Sequence, residues 1–568
     1  MKVSSAGAKL GVPMRECIQR LISAMPARWQ AAIFNGIEHQ SRRKARDAKR
    51  NESVGKQKTE WVRQYINFNR QHVDAHVEKP NGLILIDCFP APHWVIANSI
   101  FLNALAKQHN ASIASYGSLP RPTALDEIYA SFGASHHLEV QLTSKQYRKC
   151  TEMFRQVCAD TRSPEELFEL TIDGVWVGLD IYESTLRIGK PTVELHDYHT
   201  NHSLFQALKY FIYFTDLMKS GRIKAVALSH DCYVQMGTLM KIAYRHHIPV
   251  YFANPFEMMR STGTHDIYEK FKKYPEYFNA LEQADRNSLI DKARRALTKR
   301  IGGAVGVDMS YQTKSAFGGD SLERQTNHSD NLKILVATHC FYDNPHAYSR
   351  MTFRDFYLWM EFLGEISTRT DYEWYIKPHR DYLPGTMEIL NNFARKYSKF
   401  KVINPETSFH QLRKEGVTVA LTCYGSVGHE LPLLGYRVIN ATYNPHSAYA
   451  FNTHCTTEED YAEVLMHLDE SEPEPDLNSM YEFYAVHHYL VRSDSLLFEC
   501  FADYEAHLGG DLMSDLGYAY FMRDAEENLA RYRDRAEAFL AADCHYEFEL
   551  RLPNWRPQLY GFPINEPN

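Results

Sequence analysis

The stretch VTVALTCYGSVGHELPLLGYRVI, residues 417–439, carries the pattern that decides the fold. An apolar run ends in a turn of small residues, a short segment with Glu430 follows, and a second apolar run begins after Gly435. Short apolar runs bounded by turn residues predict a strand–helix–strand unit, although Pro432 argues against a long helix between the strands. Two interpretations fit the turn: it only connects the strands, or it also holds a phosphorylated ligand.

The same pattern recurs upstream in two series. Apolar runs at 82–89, 111–117, 222–231 and 248–254 alternate with segments of helical period, and a second series begins at residue 331. Repeated units of this length predict parallel, doubly wound sheets, so the predicted class is α/β with two Rossmann-like domains and helical extensions at both ends. The predicted segments are a basic helical extension, a first Rossmann-like domain, a linker, a second Rossmann-like domain and a helical C-terminal region: 1–80, 81–285, 286–330, 331–475 and 476–568.

The composition excludes several classes of function. A net charge of −7 over 568 residues does not point to nucleic acid as a partner. The ten cysteines are scattered without a C-x-x-C pair, which predicts reduced thiols in a cytoplasmic protein and neither a disulfide framework nor a zinc site. The chain has no G-x-G-x-x-G after a strand, no P-loop motif and no H-E-x-x-H, so we expect neither a cofactor nor a metal.

Residues 1–80 differ in character from the rest. The segment LGVPMRECIQRLISAMPARWQAAIF (10–34) has apolar residues at helical spacing, and SRRKARDAKR (41–50) carries six basic residues and one acidic residue. An amphipathic segment followed by a basic run can lie on an anionic membrane surface. Two interpretations are open: residues 1–60 contact the inner face of the cell membrane, or they form a solvated helix packed on the main body.

Polar side chains follow the strands of the second series. Ligands of open α/β sheets bind outside the carboxyl ends of the strands, where backbone N–H groups at a helix start, a close-approaching glycine and basic side chains bind phosphate. These positions predict a phosphate site, with Glu430 placed to accept hydrogen bonds from ribose. The alternative is that Ser426 only caps a helix and Glu430 only favours the helix dipole. The candidate ligand-binding residues are His339, Asp343, Lys377, His379, Arg380, Tyr424, Gly425, Ser426 and Glu430.

The first series offers candidates for a general base. A histidine or carboxylate at a strand end can take the proton of an attacking hydroxyl. His230 and Asp231 fall directly between a predicted strand and a predicted helix, and Asp180 and Glu183 lie in DGVWVGLDIYESTLR (173–187). Asp231 is the first choice for the base. The alternative for each residue is a structural cap or a hydrogen-bonded polar group of the core.

The motifs KPHR (377–380) and GSVGHE (425–430), followed by the G-x-x-V-I run at 435–439, resemble those of a known family. They are similar to the donor domain of GT-B glycosyltransferases of bacterial surface-polysaccharide biosynthesis, a group that includes Kdo-, sialyl- and glycerolphosphate-transferring enzymes. The resemblance covers roughly residues 80–460 and implies two Rossmann-like domains facing a cleft. It also implies that His379 and Ser426 bind the donor phosphate and Glu430 the ribose. Arg380 departs from the family pattern, in which proline is usual.

The resemblance implies transfer of a sugar from a UDP-, CMP- or GDP-linked donor to a glycan or lipid-linked acceptor in capsule or lipopolysaccharide biosynthesis. The first domain would bind the acceptor and the second the donor. We expect a metal-independent, inverting reaction, because direct displacement needs one base and basic groups stabilise the leaving nucleotide. Two alternatives stay open: a nucleotide-sugar epimerase of the UDP-GlcNAc 2-epimerase type, and a non-catalytic, transferase-like assembly protein.

Overall fold

The structure is a computed structural model of the chain, which divides into two compact units. Met1–Phe89 and Ala106–Val250 form the first unit, and Pro90–Leu105 and Tyr251–Asn568 form the second. The residues that the structure describes are 12–52, 60–73, 77–89, 91–308, 314–319, 321–379, 382–468, 475–492, 496–497, 516–542 and 544–554.

The strands of the first series form a six-stranded sheet and a short antiparallel pair. They are β1 (Leu83–Asp87), β2 (Ser112–Gly117), β3 (His136–Glu139), β4 (Thr171–Ile172), β5 (Val175–Trp176), β6 (Ile223–Leu228), β7 (Val250–Ala253) and β8 (Met258–Ser261). The antiparallel pair is β4-β5, and the large sheet has the order β3-β2-β1-β6-β7-β8. β1 pairs in parallel with β2 and β6, and β2 with β3. When the six strands of the large sheet are renumbered from 1 to 6 in chain order, their order in the sheet is 3-2-1-4-5-6, that of a Rossmann fold.

The strands of the second series form another six-stranded sheet. They are β9 (Lys333–Ala337), β10 (Glu373–Lys377), β11 (Phe400–Val402), β12 (Val417–Thr422), β13 (Arg437–Asn440) and β14 (Thr453–His454). Their order is β11-β10-β9-β12-β13-β14, and every pair is parallel. This order is again 3-2-1-4-5-6, so the predicted α/β class with two Rossmann-like sheets is confirmed.

Apolar side chains cover both faces of the second sheet. On β9, Ile334 and Val336 pack in one cluster with Trp359 of the helix Phe356–Ser367. Leu335, between them, packs in a separate cluster with Phe409. Successive residues of a strand point to opposite faces, so β9 is buried on both sides, as a central parallel strand requires.

Helices connect the strands of both sheets, and further helices lie before and after them in the chain. The sequence predicts helices at 94–109, 353–367 and 387–398, and the structure has them at Pro92–His109, Phe356–Ser367 and Thr386–Lys396, whereas Ser144–Asp160 and Tyr198–Met218 were not predicted. The helix Gln283–Ile301 runs across the predicted boundary between residues 285 and 286. The α-helices are Val12–Ser23, Ala27–Glu52, Glu60–His72, Pro92–His109, Thr123–Ser131, Ser144–Asp160, Pro164–Phe168, Gly178–Arg187, Tyr198–Met218, Thr238–Arg245, Glu269–Lys272, Tyr274–Asn279, Gln283–Ile301, Phe356–Ser367, Thr386–Lys396, Phe409–Lys414, Val427–Glu430, Glu458–Met466, Leu477–Ala485, Leu516–Arg523 and Ala525–Ala541. Tyr233–Gly237 and Val486–Val491 are π-helical, and Leu431–Leu434 and Glu547–Arg551 are 3₁₀-helical.

The connection between β12 and β13 explains Pro432. The α-helix lasts only one turn, Val427–Glu430, and continues as the 3₁₀-helix Leu431–Leu434, in which Pro432 occupies the first turn. Proline is tolerated there because its missing N–H has no intrahelical partner to lose. Gly435 then ends the segment at φ +75°, a left-handed conformation that favours glycine.

Candidate functional site

A cavity of about 210 Å³ lies in the second unit at the carboxyl ends of β9 and β12. These two neighbouring strands flank the point at which the strand order reverses, which is where Rossmann-like sheets bind ligands. The predicted residue Asp343 is not among the residues that line the cavity, and Arg380 lies outside the described residues. The predicted residues that line it are His339, Lys377, His379, Tyr424, Gly425, Ser426 and Glu430.

His339 follows β9 and is held between two aromatic rings. Its ring centroid lies 4.8 Å from that of Phe356 and 4.8 Å from that of Tyr424. Burial lowers the pKa of His339 below its ordinary value, and the charge of Asp343 opposes this shift. The end of β9 therefore presents a fixed, neutral imidazole that can bond to a ligand without adding charge.

The side chain of Lys377 is used inside the protein. Its Nζ donates hydrogen bonds to the carbonyl oxygens of Pro405, at 2.8 Å, and Thr407, at 2.7 Å. The ammonium also lies 5.2 Å from the centre of the Phe409 ring. The sequence predicted a phosphate-binding charge at this position. These two bonds give Lys377 a part in fixing the loop that follows β11, while its side chain also lines the cavity.

Ser426 does not cap a helix, which corrects one of the two sequence interpretations. Its backbone is helical, and no N–H of the following turn bonds to its hydroxyl. Its Oγ instead donates to Glu430 Oε2 at 3.3 Å. The helix that follows has only four residues, so its dipole places little positive charge at its N-terminus.

Glu430 forms a buried ion pair with Arg300, which the sequence did not single out. The two side chains are bonded through Arg300 Nε and Glu430 Oε1 and stand 130 residues apart in the chain. Arg300 belongs to the helix Gln283–Ile301 and lies in the predicted linker, residues 286–330. Its guanidinium also donates to the Val307 carbonyl at 3.2 Å. The predicted ribose ligand is thus already bonded to a cation that itself lines the cavity.

The C-terminal helical region supplies a second wall of the cavity, which the sequence also missed. Phe483, His487, His488 and Arg492 line it, from the helix Leu477–Ala485 and the π-helix and residue that follow. Phe483 and His487 stack with their ring centroids 5.3 Å apart and their planes at 17°. The only signal in the sequence was the His487–His488 pair within an aromatic helical segment.

Buried imidazoles gather beside this wall. Burial, with the charge of Arg300, lowers the pKa of His429 to about 3, and burial lowers those of His446, His487 and His488 well below the ordinary value. The Nε2 atoms of His429, His446 and His488 are buried without hydrogen-bond partners. Buried polar atoms are nearly always bonded, so each of these nitrogens is a place where an ordered water or another polar group is expected to bind.

A second group of polar side chains ends the central strands of the first sheet. Ser229, just after β6, donates from its Oγ to Asp87 Oδ2 at 2.6 Å and from its amide to Oδ1 at 2.8 Å. The same Oγ lies 2.8 Å from His230 Nδ1. While Asp87 is ionised it can only accept, so Ser229 gives it the hydroxyl proton and accepts from Nδ1–H. This arrangement makes Nε2 the basic nitrogen of His230.

Asp87 itself is held in a buried position. Burial raises the pKa of its carboxyl above the ordinary value, and the hydroxyl and amide of Ser229, with the charge of His230, oppose that shift. The Asp87–Ser229–His230 chain lies at the switch point between β1 and β6, the position that corresponds to the cavity of the second sheet. His230 was predicted as a catalytic candidate, whereas its connection to Asp87 through Ser229 was not.

Two predicted base candidates lie too deep to meet a substrate in this structure. Asp180 is fully buried, and its carboxylate accepts hydrogen bonds from Lys241 Nζ, at 2.5 Å, and Thr238 Oγ1, at 3.0 Å. Glu183 is also buried, and no side chain bonds to either of its oxygens. Burial, then the nearby charge of Asp180, raise the pKa of Glu183 well above its ordinary value. Asp231 is partly buried and remains a candidate.

Glu183→Gln is expected to raise the melting temperature at pH 7.5 and to change it little near pH 4. The folded state keeps a proton on Glu183 that the unfolded chain releases once the pH exceeds the ordinary pKa of 4.5. The buried carboxyl therefore costs stability progressively as pH rises, and a neutral amide removes that cost. Thermal unfolding of both proteins between pH 4 and pH 8 measures the effect. An equal gain at both ends of this range would assign it to packing instead.

Within the described residues, no group of three or more His, Cys, Asp or Glu side chains has the arrangement of a metal site. None of the helices in that part of the chain is both long enough and apolar enough to cross a bilayer.

Comparisons with known proteins find solved structures of low sequence identity and low TM-score. No family model matches it, and no curated protein matches it in sequence. Among solved structures, a β-Kdo 2,4 transferase, KpsC of Thermosulfurimonas dismutans, is 16% identical with a TM-score of 0.28, covering 46% of this chain and 79% of its own. A UDP-GlcNAc 2-epimerase of Neisseria meningitidis, bound to UDP-GlcNAc, is 13% identical with a TM-score of 0.22, covering 71% and 93%. A glycosyltransferase of Rickettsia africae is 10% identical with a TM-score of 0.21, covering 80% and 99%. At these scores the similarity does not bear on activity.

Proposed function

We propose that this protein is a glycosyltransferase that moves a sugar from a nucleotide-linked donor to a glycan or lipid-linked acceptor of a bacterial surface polysaccharide. The observation that carries the proposal is the cavity at the switch point of the second sheet. It combines a small-residue turn, a cationic Arg300 and imidazoles whose pKa burial lowers. Such a site suits an anionic group attached to a larger polar molecule, as a nucleotide sugar is.

The donor phosphate is assigned to the turn Tyr424–Gly425–Ser426 and to His379, in agreement with the sequence motifs. Glu430 would hold Arg300 beside the phosphate in addition to any contact with ribose. Arg300 and the neighbouring imidazoles would stabilise the charge that develops on the leaving nucleotide, which is the task a metal ion performs in other enzymes. We therefore propose a reaction that needs no metal.

On the acceptor side, we propose His230 as the general base and keep Asp231 as the second choice. With Asp87 ionised, the hydrogen bond that Ser229 Oγ accepts from Nδ1–H orients the ring and leaves Nε2 as the basic nitrogen, which is the state a base requires. A single base of this kind supports direct displacement with inversion at the anomeric carbon.

Nucleotide binding is expected to raise the melting temperature, and a panel of UDP-, CMP- and GDP-linked donors would identify the base. A ligand present at about 100 times its dissociation constant stabilises the folded state by about 2.7 kcal/mol. The double variant His379→Ala/Ser426→Ala is expected to lose this shift while keeping the melting temperature of the free protein. His328→Ala, an exposed histidine of the same unit, is the matched control.

The panel also separates the rival functions. No shift with any donor would remove the nucleotide site and favour the assembly protein. Conversion of a UDP-sugar to its epimer without an acceptor would assign the site to an epimerase. A shift that survives the double variant would place the nucleotide elsewhere in the chain.

A further inference from the structure

The helix Val12–Ser23 carries an exposed row of large apolar side chains. Met14, Ile18 and Leu21 follow one another at steps of four and three residues, which places them on one helix face. The row continues through Met25, in the turn, to Trp29, in the helix Ala27–Glu52. All five side chains are between 41% and 60% exposed. Single exposed apolar residues are normal, but five of them within sixteen residues of an anchored helical segment are typical of a docking surface.

The opposite side of the same segment is anchored to the first unit. Ile22 is buried, and the helix packs against the helix Tyr198–Met218. The turn that follows is fixed by Gln30, whose Nε2 donates to the carbonyl oxygens of Ser23, at 3.2 Å, and Met25, at 2.8 Å. The apolar row therefore faces outward because its own helices are already packed through their other faces.

Arginines accompany the apolar row. Arg15, Arg20 and Arg28 are exposed in the stretch from 14 to 29, against one exposed acid, Glu16. The Arg28 guanidinium lies 5.5 Å from the centre of the Trp29 ring. Tryptophan and arginine side chains are both suited to the boundary between lipid headgroups and acyl chains, because each combines an apolar body with a polar end.

We propose that the apolar row and its arginines dock on the surface of an anionic phospholipid bilayer. The apolar side chains enter the boundary of the acyl region, and the arginines meet the lipid phosphates. A second copy of this chain would be the competing occupant. A two-fold contact, however, brings identical surfaces together and sets the same arginines against each other, whereas anionic lipid neutralises them. The inference is independent of the proposed transfer reaction.

The basic run SRRKARDAKR contributes less to this surface than the sequence predicts. Arg42 is buried, where it bonds to Glu38 and to the carbonyl oxygens of Ser118 and Val140. Arg46 pairs with Glu139 at 2.8 Å. The helix Ala27–Glu52 is thus packed on the main body along one face, while Arg43 and Lys44 of the basic run remain exposed. We place the docking face ahead of the basic run, where the exposed apolar side chains lie.

Sedimentation with lipid vesicles tests the proposal on the full chain. The protein is expected to bind phosphatidylcholine vesicles that contain phosphatidylglycerol, to bind pure phosphatidylcholine vesicles more weakly, and to release from the anionic vesicles as salt increases. Leu21→Ser/Trp29→Ser is expected to lower the partition coefficient about tenfold or more, because it removes two inserted side chains. Arg20→Gln/Arg28→Gln is expected to lower binding to the anionic vesicles roughly 10- to 30-fold. Ile188→Ser is the matched control, since Ile188 is 47% exposed on another segment of the first unit.

Three results would overturn the proposal. The first is no binding to the anionic vesicles. The second is vesicle binding that the Leu21/Trp29 variant leaves unchanged. The third is a concentration-dependent dimer of the unaltered protein that binds no vesicles and that the Leu21/Trp29 variant does not form. This result would show that a second copy of the chain covers the apolar row. Unchanged melting temperatures of the variants show that the first unit remains folded.

Discussion

Arg300→Met is expected to lower the free energy of unfolding of the second unit by about 3–5 kcal/mol. The reason is the environment of its partner, since Glu430 is 1% exposed and Arg300 itself 2%. Without the guanidinium, the Glu430 carboxylate would remain in the interior with only the Ser426 hydroxyl as a donor, at 3.3 Å. Urea unfolding followed by tryptophan fluorescence and by circular dichroism measures the loss.

Two further variants decide whether the ion pair is the cause. Arg300→Met/Glu430→Gln is expected to recover most of the lost stability, because it removes both charges and keeps an acceptor for Ser426. Arg294→Met is the control on the same helix. Its ion pair with Asp291, at 3.3 Å, is exposed, so the change is expected to stay within about 0.5 kcal/mol. A double variant no more stable than Arg300→Met would show that the packing of the arginine side chain, and not its charge, holds the segment.

Hydrophobic patterning predicted the two sheets because their central strands alternate with helices in a regular way. The elements that it missed carry weak patterns. β3 reads HHLE, with no buried residue, and β4, β5 and β14 have only two residues each, too few to show a period. The helix Tyr198–Met218 has buried side chains on most of its positions and therefore lacks the polar face that marks an amphipathic helix.

The sequence predicted the position of the candidate site better than it predicted the partners of the side chains there. The rule that ligands bind beyond strand ends located the cavity, since it depends only on strand order. The side-chain partners depend on tertiary contacts. Lys377 lies where a phosphate-binding charge was predicted, yet two carbonyls from residues 405 and 407 occupy its ammonium. Arg300 and His488 come from segments that the sequence treats as a linker and a terminal extension, so no local pattern could connect them with Ser426.

In the first unit, too, the sequence did not show the tertiary contacts of the candidate residues. The sequence put Asp231 first because it falls in the connection between a predicted strand and a predicted helix, with Glu183 and Asp180 behind it. The structure adds the bonds from Ser229 to Asp87 and to His230, which join residues 142 positions apart. A hydrogen-bonded chain of this kind orients a ring and selects its tautomer, and neither property is visible in residue order.

His230→Asn is expected to lower turnover by about 10²–10⁴-fold, the usual contribution of a general base. The fold and the affinity for the donor are expected to stay unchanged, because the donor site is assigned to the second unit. The measurement is transfer of a radiolabelled sugar, from the donor that the nucleotide panel identifies, into a glycan or lipid acceptor fraction. His136→Ala, an exposed histidine of the first unit, is expected to keep full activity.

Ser229→Ala distinguishes positioning from chemistry at the same site. It removes the hydroxyl that joins Asp87 to His230 but keeps the imidazole, so we expect a smaller loss of kcat, about tenfold, with KM for the donor unchanged. The pH dependence of kcat is also expected to shift, because the ring loses the bond that selects its tautomer, whereas a merely structural serine would leave that profile in place. Full activity of His230→Asn would exclude this residue as the base. Asp231→Asn would then be the next variant to test, since Asp231 follows in the same strand-to-helix connection and is only partly buried.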